Sequence, residues 1–380
     1  MIILLILLAE LVIIYKMSEL TVKKISYGEL KEKPIEVKDD RYGIASYFTE
    51  TIRRTFLACP GYHSDDDVAV VLLMDGDIAI GREIRYGTRL KIGNEIVWVH
   101  TGCSMMVCEE YQKIGAGILL LTNNPNENDS VSFGALYTEA RVKLLKKQKR
   151  IVFEIPQYTK IVNTRPAIES YLRLTGIPLS CLALLGNMFL NVMEIPNRLK
   201  IKRLKRKCSI KKETIVPEWA GEMATNDGHK YMEYHDSKWL QWNLDYNMIG
   251  YPEDIQSFFS VWDKKGKPIG FFMTKERFEE EAGIYRNIVR GTIVEWATVD
   301  KEKLSEADLN LLAISTFSPR VSNITTISDD PKTQKRFKSL YFRKNYVFQM
   351  SFKDKVGKYS DGVNMANWRI RYGMSNSILY

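Results

Sequence analysis

Two hydrophobic rhythms alternate along this chain. Ile44, Phe48, Ile52 and Phe56 recur at helical spacing and predict a helix over Ala45 to Leu57. Val68 to Met74 is a continuous apolar run closed by Asp75-Gly76, the pattern of a buried strand. Ile78 to Leu90 and Lys91 to His100 read as two more strands around Gly93-Asn94. Tyr111 to Leu121 reads as a buried helix that Asn123-Asn124-Pro125 ends. Ser130 to Phe133 reads as a short strand, Tyr137 to Lys149 as a basic amphipathic helix and Ile151 to Ile155 as a strand. Thr164 to Met193 is mostly apolar and helical in character. Past Val216 the rhythm returns, with strands expected near Phe258 to Trp262, Pro268 to Thr274, Gly291 to Val299, Ile324 to Ile327 and Tyr346 to Phe352. Leu304 to Phe317 and Thr333 to Lys344 read as helices. This alternation predicts an α/β or mixed α+β fold.

The two halves share an order of elements but no residue-level repeat. At 380 residues the chain has room for two or three domains. The expected division is an apolar leader at 1–16, a first domain at 17–196, a basic linker at 197–215 and a second domain at 216–380. The leader, Met1 to Tyr15, is apolar except for Glu10. As a helix it spans roughly 22 Å, against about 30 Å of bilayer hydrocarbon. It lacks the basic start and small-residue cleavage site of a signal peptide. Met17-Ser18-Glu19-Leu20 reads as an ordinary soluble start, so the leader is a dispensable or over-extended beginning, a helix packed on the protein, or a weak membrane anchor. In the last case Lys16, Lys23 and Lys24 would hold the following domain in the cytoplasm.

Composition narrows the class. Apolar residues make up 45% and charged residues 27%, the mix of a globular protein rather than a disordered one. A net charge of +9 favours anionic ligands without naming one. The five cysteines, Cys59, Cys103, Cys108, Cys181 and Cys208, are odd in number and widely spaced, which argues for a reduced, cytoplasmic setting. His63, His100, His229 and His235 do not pair with them at zinc-ligand spacing, so no metal is expected. Arg198 to Lys212 is dense in Lys and Arg and has no acid. It is a solvated basic linker or helix face, or a contact for an anionic substrate, lipid head groups or nucleic acid. No aromatic side chains are interleaved for base stacking, which argues against nucleic acid.

One segment carries chemistry. Val107-Cys108-Glu109-Glu110-Tyr111-Gln112-Lys113-Ile114-Gly115-Ala116-Gly117-Ile118-Leu119 follows a strand and opens a helix. Gly115 and Gly117 each cost roughly 1 kcal/mol of helix propensity relative to Ala, so a close approach to the backbone is the reason to have them. Unpaired amides at a helix start suit an anion, a phosphate above all. A dinucleotide fingerprint would need Gly where Leu120 stands, and a P-loop would need Lys-Ser/Thr where Ile118-Leu119 stand. What remains, Gln112-x-x-Gly115-x-Gly117, resembles the pyrophosphate motif of the GNAT superfamily of N-acyltransferases, which reads Gln/Arg-x-x-Gly-x-Gly/Ala. Val107, Glu110, Tyr111 and Gln112 extend the match, while Glu109 stands where that family often has Pro. By element order the resemblance covers roughly Gly43 to Ile161.

The resemblance implies two GNAT-like units, each a mixed, mostly antiparallel sheet flanked by helices, with only the first carrying the motif. It implies acetyl-CoA as co-substrate, its diphosphate on the backbone of Gln112, Lys113, Ile114, Gly115, Ala116 and Gly117. The strand end at Met105 to Val107 would pair with the pantetheine arm. Tyr137, just after the fifth strand, would protonate the leaving thiolate. His100, with an ordinary pKa near 6.5, is the candidate base for the acceptor amine. Cys103 would lie on the opposite face of the same strand, so a covalent intermediate is not expected. In the second half, Trp239-Leu240-Gln241-Trp242 and the strands after it resemble the second unit of tandem bacterial acyltransferases, although Asn243 stands where Arg is usual. Trp239, Trp242, Tyr246 and Tyr251 would line a cleft or pack in the core. This unit would shape the acceptor site or a dimer face. The expected acceptor is a small-molecule or peptide amine, among them an amino sugar nucleotide. A non-catalytic acyl-CoA sensor is the main alternative, and a structural or nucleic-acid partner acting through Arg198 to Lys212 the next.

Overall fold

The computed structural model describes residues 18–122, 129–135, 137, 139–175, 180–247, 254–283 and 285–374. The leader, the helix-ending Asn123-Asn124-Pro125 and Tyr251 lie outside them. The chain divides into two compact units. The first holds residues up to Arg89, Val97–Gly134 and Asp354–Val356. The second holds Leu90–Ile96, Ala135–Lys353 and the residues from Gly357 on.

In the first unit, β1 (Leu20–Ser26) leads into the short helix α1 (Tyr27–Glu32). Ser26 and Glu29 form a reciprocal capping box at its start. Helix α2 (Glu50–Leu57) begins later than the apolar spacing suggests, because Thr49 caps it by accepting the Ile52 amide at 3.3 Å. The preceding residues turn around Asp40, whose carboxylate accepts the amides of Ala45 and Ser46 at 2.8 Å each. Ile44, Phe48, Ile52 and Phe56 are all buried. The sheet runs β1, β2 (Val68–Asp75), β3 (Ile78–Ile92), β4 (Glu95–Val107). β1 pairs antiparallel with β2 and β2 with β3. Six successive residues of β2 are buried, the signature of a central strand covered on both faces. Two short helices, α3 (Glu109–Gln112) and α4 (Gly117–Thr122), and strand β5 (Val131–Ala135) follow.

The second unit contains α5 (Glu139–Lys147), β6 (Ile151–Ile161), α6 (Arg165–Thr175), α7 (Ser180–Met193), α8 (Ile195–Lys207), β7 (Cys208–Glu213), α9 (Glu218–Thr225), β8 (Tyr231–Glu233) and α10 (Ser237–Asp245). Then come β9 (Ile255–Asp263), β10 (Pro268–Ala282), β11 (Tyr285–Thr298), α11 (Glu306–Ile314), β12 (Asn323–Ile327), α12 (Pro331–Ser339) and β13 (Arg343–Asp354). Its sheet runs β13-β6-β12-β11-β10-β9-β7. The β11–β12 pair is parallel, joined through α11 as a parallel crossover requires, and the other pairs in that order are antiparallel. β8 pairs with Leu90–Ile92. Helix α11 is buried on nearly every side and carries Leu309, Leu311 and Leu312 into a core shared with Phe272, Ile293, Trp296 and Phe337.

The architecture is the expected mixed α/β one, with mostly antiparallel sheets flanked by helices. Two expectations change. The stretch 197–215 is no linker: it forms α8 and the edge strand β7, which pairs with β9. Residues 151–193, expected in the first domain, belong to the second unit, because β6 pairs with both β12 and β13. No helix among the described residues is long and apolar enough to cross a membrane.

Candidate functional site

The glycine segment forms a corner in the first unit. β4 ends at Val107, and the Cys108 amide donates to the Ile80 carbonyl of β3 at 2.9 Å. The Tyr111 and Gln112 amides return to the Cys108 carbonyl at 3.0 and 3.1 Å, closing α3. The continuous helix expected over Tyr111 to Leu121 breaks here. Gly115 takes φ +78°, a left-handed value that cannot continue a right-handed helix. The Gly115 amide donates to Gln112, that of Ala116 to Tyr111 and that of Ile118 to Gly115. Among the described residues, the amides of Lys113, Ile114 and Gly117 form no backbone hydrogen bond. Three donors are thereby left available inside a turn of six residues.

The corner is held from below. The Tyr111 ring is buried, and its hydroxyl donates to Asp75 at 2.6 Å. That carboxylate, with burial second, holds the phenol above its ordinary pKa. Ala116 and Leu120 are fully buried. The Gln112 side chain donates to the Val107 carbonyl at 2.6 Å. A Cβ added at Gly117 would lie 3.3 Å from the Met105 methyl and 3.7 Å from Val107 Cγ2. Met105, Val107, Gln112 and Gly117 are therefore brought together, and a side chain at Gly117 would fill the hollow. This hollow and its free amides fit a diphosphate.

One feature of the corner has no sequence signal. Ser104 adopts φ +47° within β4, where extended backbone is the rule, and its hydroxyl lies 3.1 Å from that of Tyr47. Met105 and Met106, which a regular strand would turn to opposite faces, are both exposed. Tyr47 in turn stacks under the guanidinium of Arg82 at 3.6 Å.

His100 sits farther back on β4 with an almost buried side chain. Nδ1 lies 3.1 Å from Asp129 and Nε2 3.3 Å from Asp67. Burial works against the charged ring, but the two carboxylates outweigh it and raise the pKa. They stabilise the imidazolium; Nδ1 is hydrogen-bonded to Asp129, while Nε2 faces Asp67 without a hydrogen bond. This geometry makes His100 a clamp between Asp67 and Asp129. Cys103 is buried, and burial pushes its thiol well up, away from thiolate chemistry.

Tyr137 belongs to the second unit, ahead of α5, with its hydroxyl 2.9 Å from Ser351 Oγ on β13. In the same unit Trp239 and Trp242 are buried, and Trp239 stacks on His235 at 3.5 Å, so both pack into the core instead of lining a cleft. The start of α11 is closed: Ser305 accepts the Asp308 amide at 3.2 Å, and Glu306 and Asp308 occupy the first turn. That arrangement repels an anion. Among the described residues no group of His, Cys, Asp and Glu could hold a metal ion.

No family model matches the chain, and no curated protein sequence matches it either. Solved structures do match its fold. Saccharomyces cerevisiae N-myristoyltransferase with bound myristoyl-CoA aligns at TM-score 0.55 and 11% identity, over 89% of this chain and 83% of that one. A second determination of that enzyme, with myristoyl-CoA and inhibitors, aligns at 0.54 and 10%, over 89% and 80%. A probable N-acyltransferase from Enterococcus faecalis V583 aligns at 0.50 and 12%, over 88% and 72%. The chain shares the fold of these solved structures. At these identities the likeness is one of fold.

Proposed function

We propose that this protein is an acyl-CoA-dependent N-acyltransferase that moves an acyl group, acetyl in the simplest case, from CoA to an amine. The observation that carries this reading is the corner at Gln112–Gly117: a left-handed Gly115, three amides without backbone partners and a hollow beside Gly117 that any side chain would fill. Backbone amides in such a turn bind phosphate oxygens without bringing a side chain's bulk or titration. The backbone of Gln112, Lys113, Ile114, Gly115, Ala116 and Gly117 would hold the diphosphate of CoA, and the end of β4 at Met105 and Val107 its pantetheine arm.

The acceptor nitrogen then attacks the thioester carbonyl directly and forms the amide bond. The C–S bond breaks, the nitrogen loses a proton and the thiolate gains one. Orienting the two reactants in one complex supplies most of the effect. Tyr137 is our candidate for the proton donor to the thiolate. A phenol, with an ordinary pKa near 10, suits that task. The net charge of +9 favours an acceptor with negative groups, such as an amino sugar nucleotide, over a polyamine. With no motif and a closed helix start at Ser305, the second unit is assigned to the acceptor or to homodimer contacts. All five cysteines are free, which suits a cytoplasmic setting.

Native mass spectrometry with CoA, followed by thiol-release assays over a panel of amines, tests the reading. Bound CoA with amine-dependent thiol release supports it, and thioesters of increasing chain length locate the preferred acyl group. Binding without turnover on any amine would make the protein a sensor, and neither binding nor turnover would overturn the reading.

A further inference from the structure

Helix α7 is built inside out. A helix packed on a soluble domain turns its apolar stripe inward and its polar face to water. Here the inward side carries Ala183, Gly186 and Asn187. Asn187 accepts both the amide and the hydroxyl of Thr164 at 2.8 Å, and Thr164 Oγ1 lies 2.7 Å from where a Gly186 Cβ would be. The outward side carries Leu184, Leu185, Met188, Phe189 and Val192, each more than half exposed. The helix is thus fastened by polar bonds and presents a contiguous apolar face. Faces of this kind mark interaction sites.

The next helix supplies the opposite chemistry. Helix α8 has no acidic residue between Ile195 and Lys207. Arg198, Lys202, Arg203, Lys205 and Arg206 are exposed along it. A groove of about 450 Å³ runs along α8, bounded by the end of α7, the end of β6 and the end of α11. Leu190, Ile201 and Ile314 contribute its apolar lining, Arg198, Lys202 and Lys205 its positive charge, and Glu194, paired with Lys160, one carboxylate.

We infer that α7 and α8 dock this protein on an anionic lipid bilayer, with the apolar face of α7 in the acyl region and the basic side chains of α8 among the headgroup phosphates. Charge complementarity selects the occupant. A bilayer offers hydrocarbon beneath a layer of negative charge, and an apolar helix face beside a polybasic one matches both at once. A second copy of this chain would bring two basic helices together at a cost in repulsion. Nucleic acid would meet the charge but leave Leu184, Leu185, Met188 and Val192 uncovered.

Flotation of the full chain with lipid vesicles tests the inference. Binding to phosphatidylcholine vesicles containing phosphatidylserine should exceed binding to phosphatidylcholine alone by about tenfold or more, and should weaken as salt rises. Phe189→Glu with Met188→Glu should abolish binding to both kinds of vesicle. Lys202→Glu with Arg206→Glu should remove the preference for phosphatidylserine. All four side chains are exposed, so an unchanged melting temperature excludes misfolding as the cause. Absence of vesicle binding, or binding that the charge and apolar variants leave intact, overturns the inference. So does a dimer in sedimentation velocity that Phe189→Glu dissociates while the protein binds no vesicles.

Discussion

The side-chain amide of Gln112 is hydrogen-bonded to the main-chain carbonyl of Val107 at 2.6 Å, tying the glycine turn to the strand that precedes it. A neutral side-chain bond of this type contributes about 0.5–1.5 kcal/mol. Gln112→Ala should therefore weaken CoA binding by about twofold to tenfold, read by calorimetric titration, while the melting temperature barely moves. An unchanged affinity would show that the corner holds its shape without the side chain.

The clamp on His100 predicts a pH dependence. The imidazole pKa is raised in the folded protein, so its stabilisation is complete below the unfolded value near 6.5. It is lost as pH rises from there through the folded value. His100→Gln should lower the melting temperature more at pH 6 than at pH 9, and should leave kcat within a few fold. A loss of kcat by about 10²–10⁴ with unchanged stability would instead give His100 the role of base.

Tyr137 offers a cleaner catalytic test. Its hydroxyl lies 2.9 Å from Ser351 Oγ, and Tyr137→Phe removes that group while keeping the ring. If the phenol protonates the leaving thiolate, kcat should fall by about 10²–10⁴ with CoA affinity nearly intact. Wild-type kcat at saturating substrates would pass the role to water or another residue. A loss of CoA binding would make Tyr137 a positioning group.

Glu295 anchors a buried charge network in the second unit. It meets Nδ1 of His235 on one oxygen and Arg369 at 2.6 Å on the other, with all three side chains almost fully buried. Burial opposes its charge, yet Arg369 and His235 hold the carboxyl down to about 2. Arg369 also pairs with Asp227 at 2.6 Å, and Arg371 with Asp329 at 2.5 Å. Removing one member leaves buried cations uncompensated. Glu295→Ala should cost about 3–5 kcal/mol in urea unfolding at pH 7. A loss below about 1 kcal/mol would mean that water or a rearranged carboxylate replaces it.

The residues of the candidate donor site were legible because glycine in a helix start is a compositional anomaly, visible without the fold. The core spacing of Ile44, Phe48, Ile52 and Phe56 was legible for the same local reason. Other features depend on contacts that local patterns do not carry. Asp129 lies 29 residues from His100, so the clamp that raises its pKa is tertiary. Ser104 gives no hint of its left-handed backbone, being neither Gly nor Asn. Strands β1 and β7 sit at sheet edges and are rich in lysine, which keeps edges from pairing with other chains and also hides their alternation. The break at Gly115 escaped because apolar spacing runs through it unchanged, whereas the backbone does not.

If the corner at Gln112–Gly117 binds the diphosphate of CoA through its backbone, Gly117→Asp removes that binding by bulk and charge. Gly115 is the poorer site for the test, since its φ of +78° would add strain to any substitution. At Gly117 the nearest neighbour of an added Cβ is the flexible end of Met105, at 3.3 Å, so the fold can accommodate it. Calorimetric titration of CoA into wild type and Gly117→Asp, with melting curves for both, is the measurement. Wild type should bind CoA, and the variant should retain its melting temperature and lose CoA binding. A folded Gly117→Asp with wild-type CoA affinity would contradict diphosphate binding at this corner.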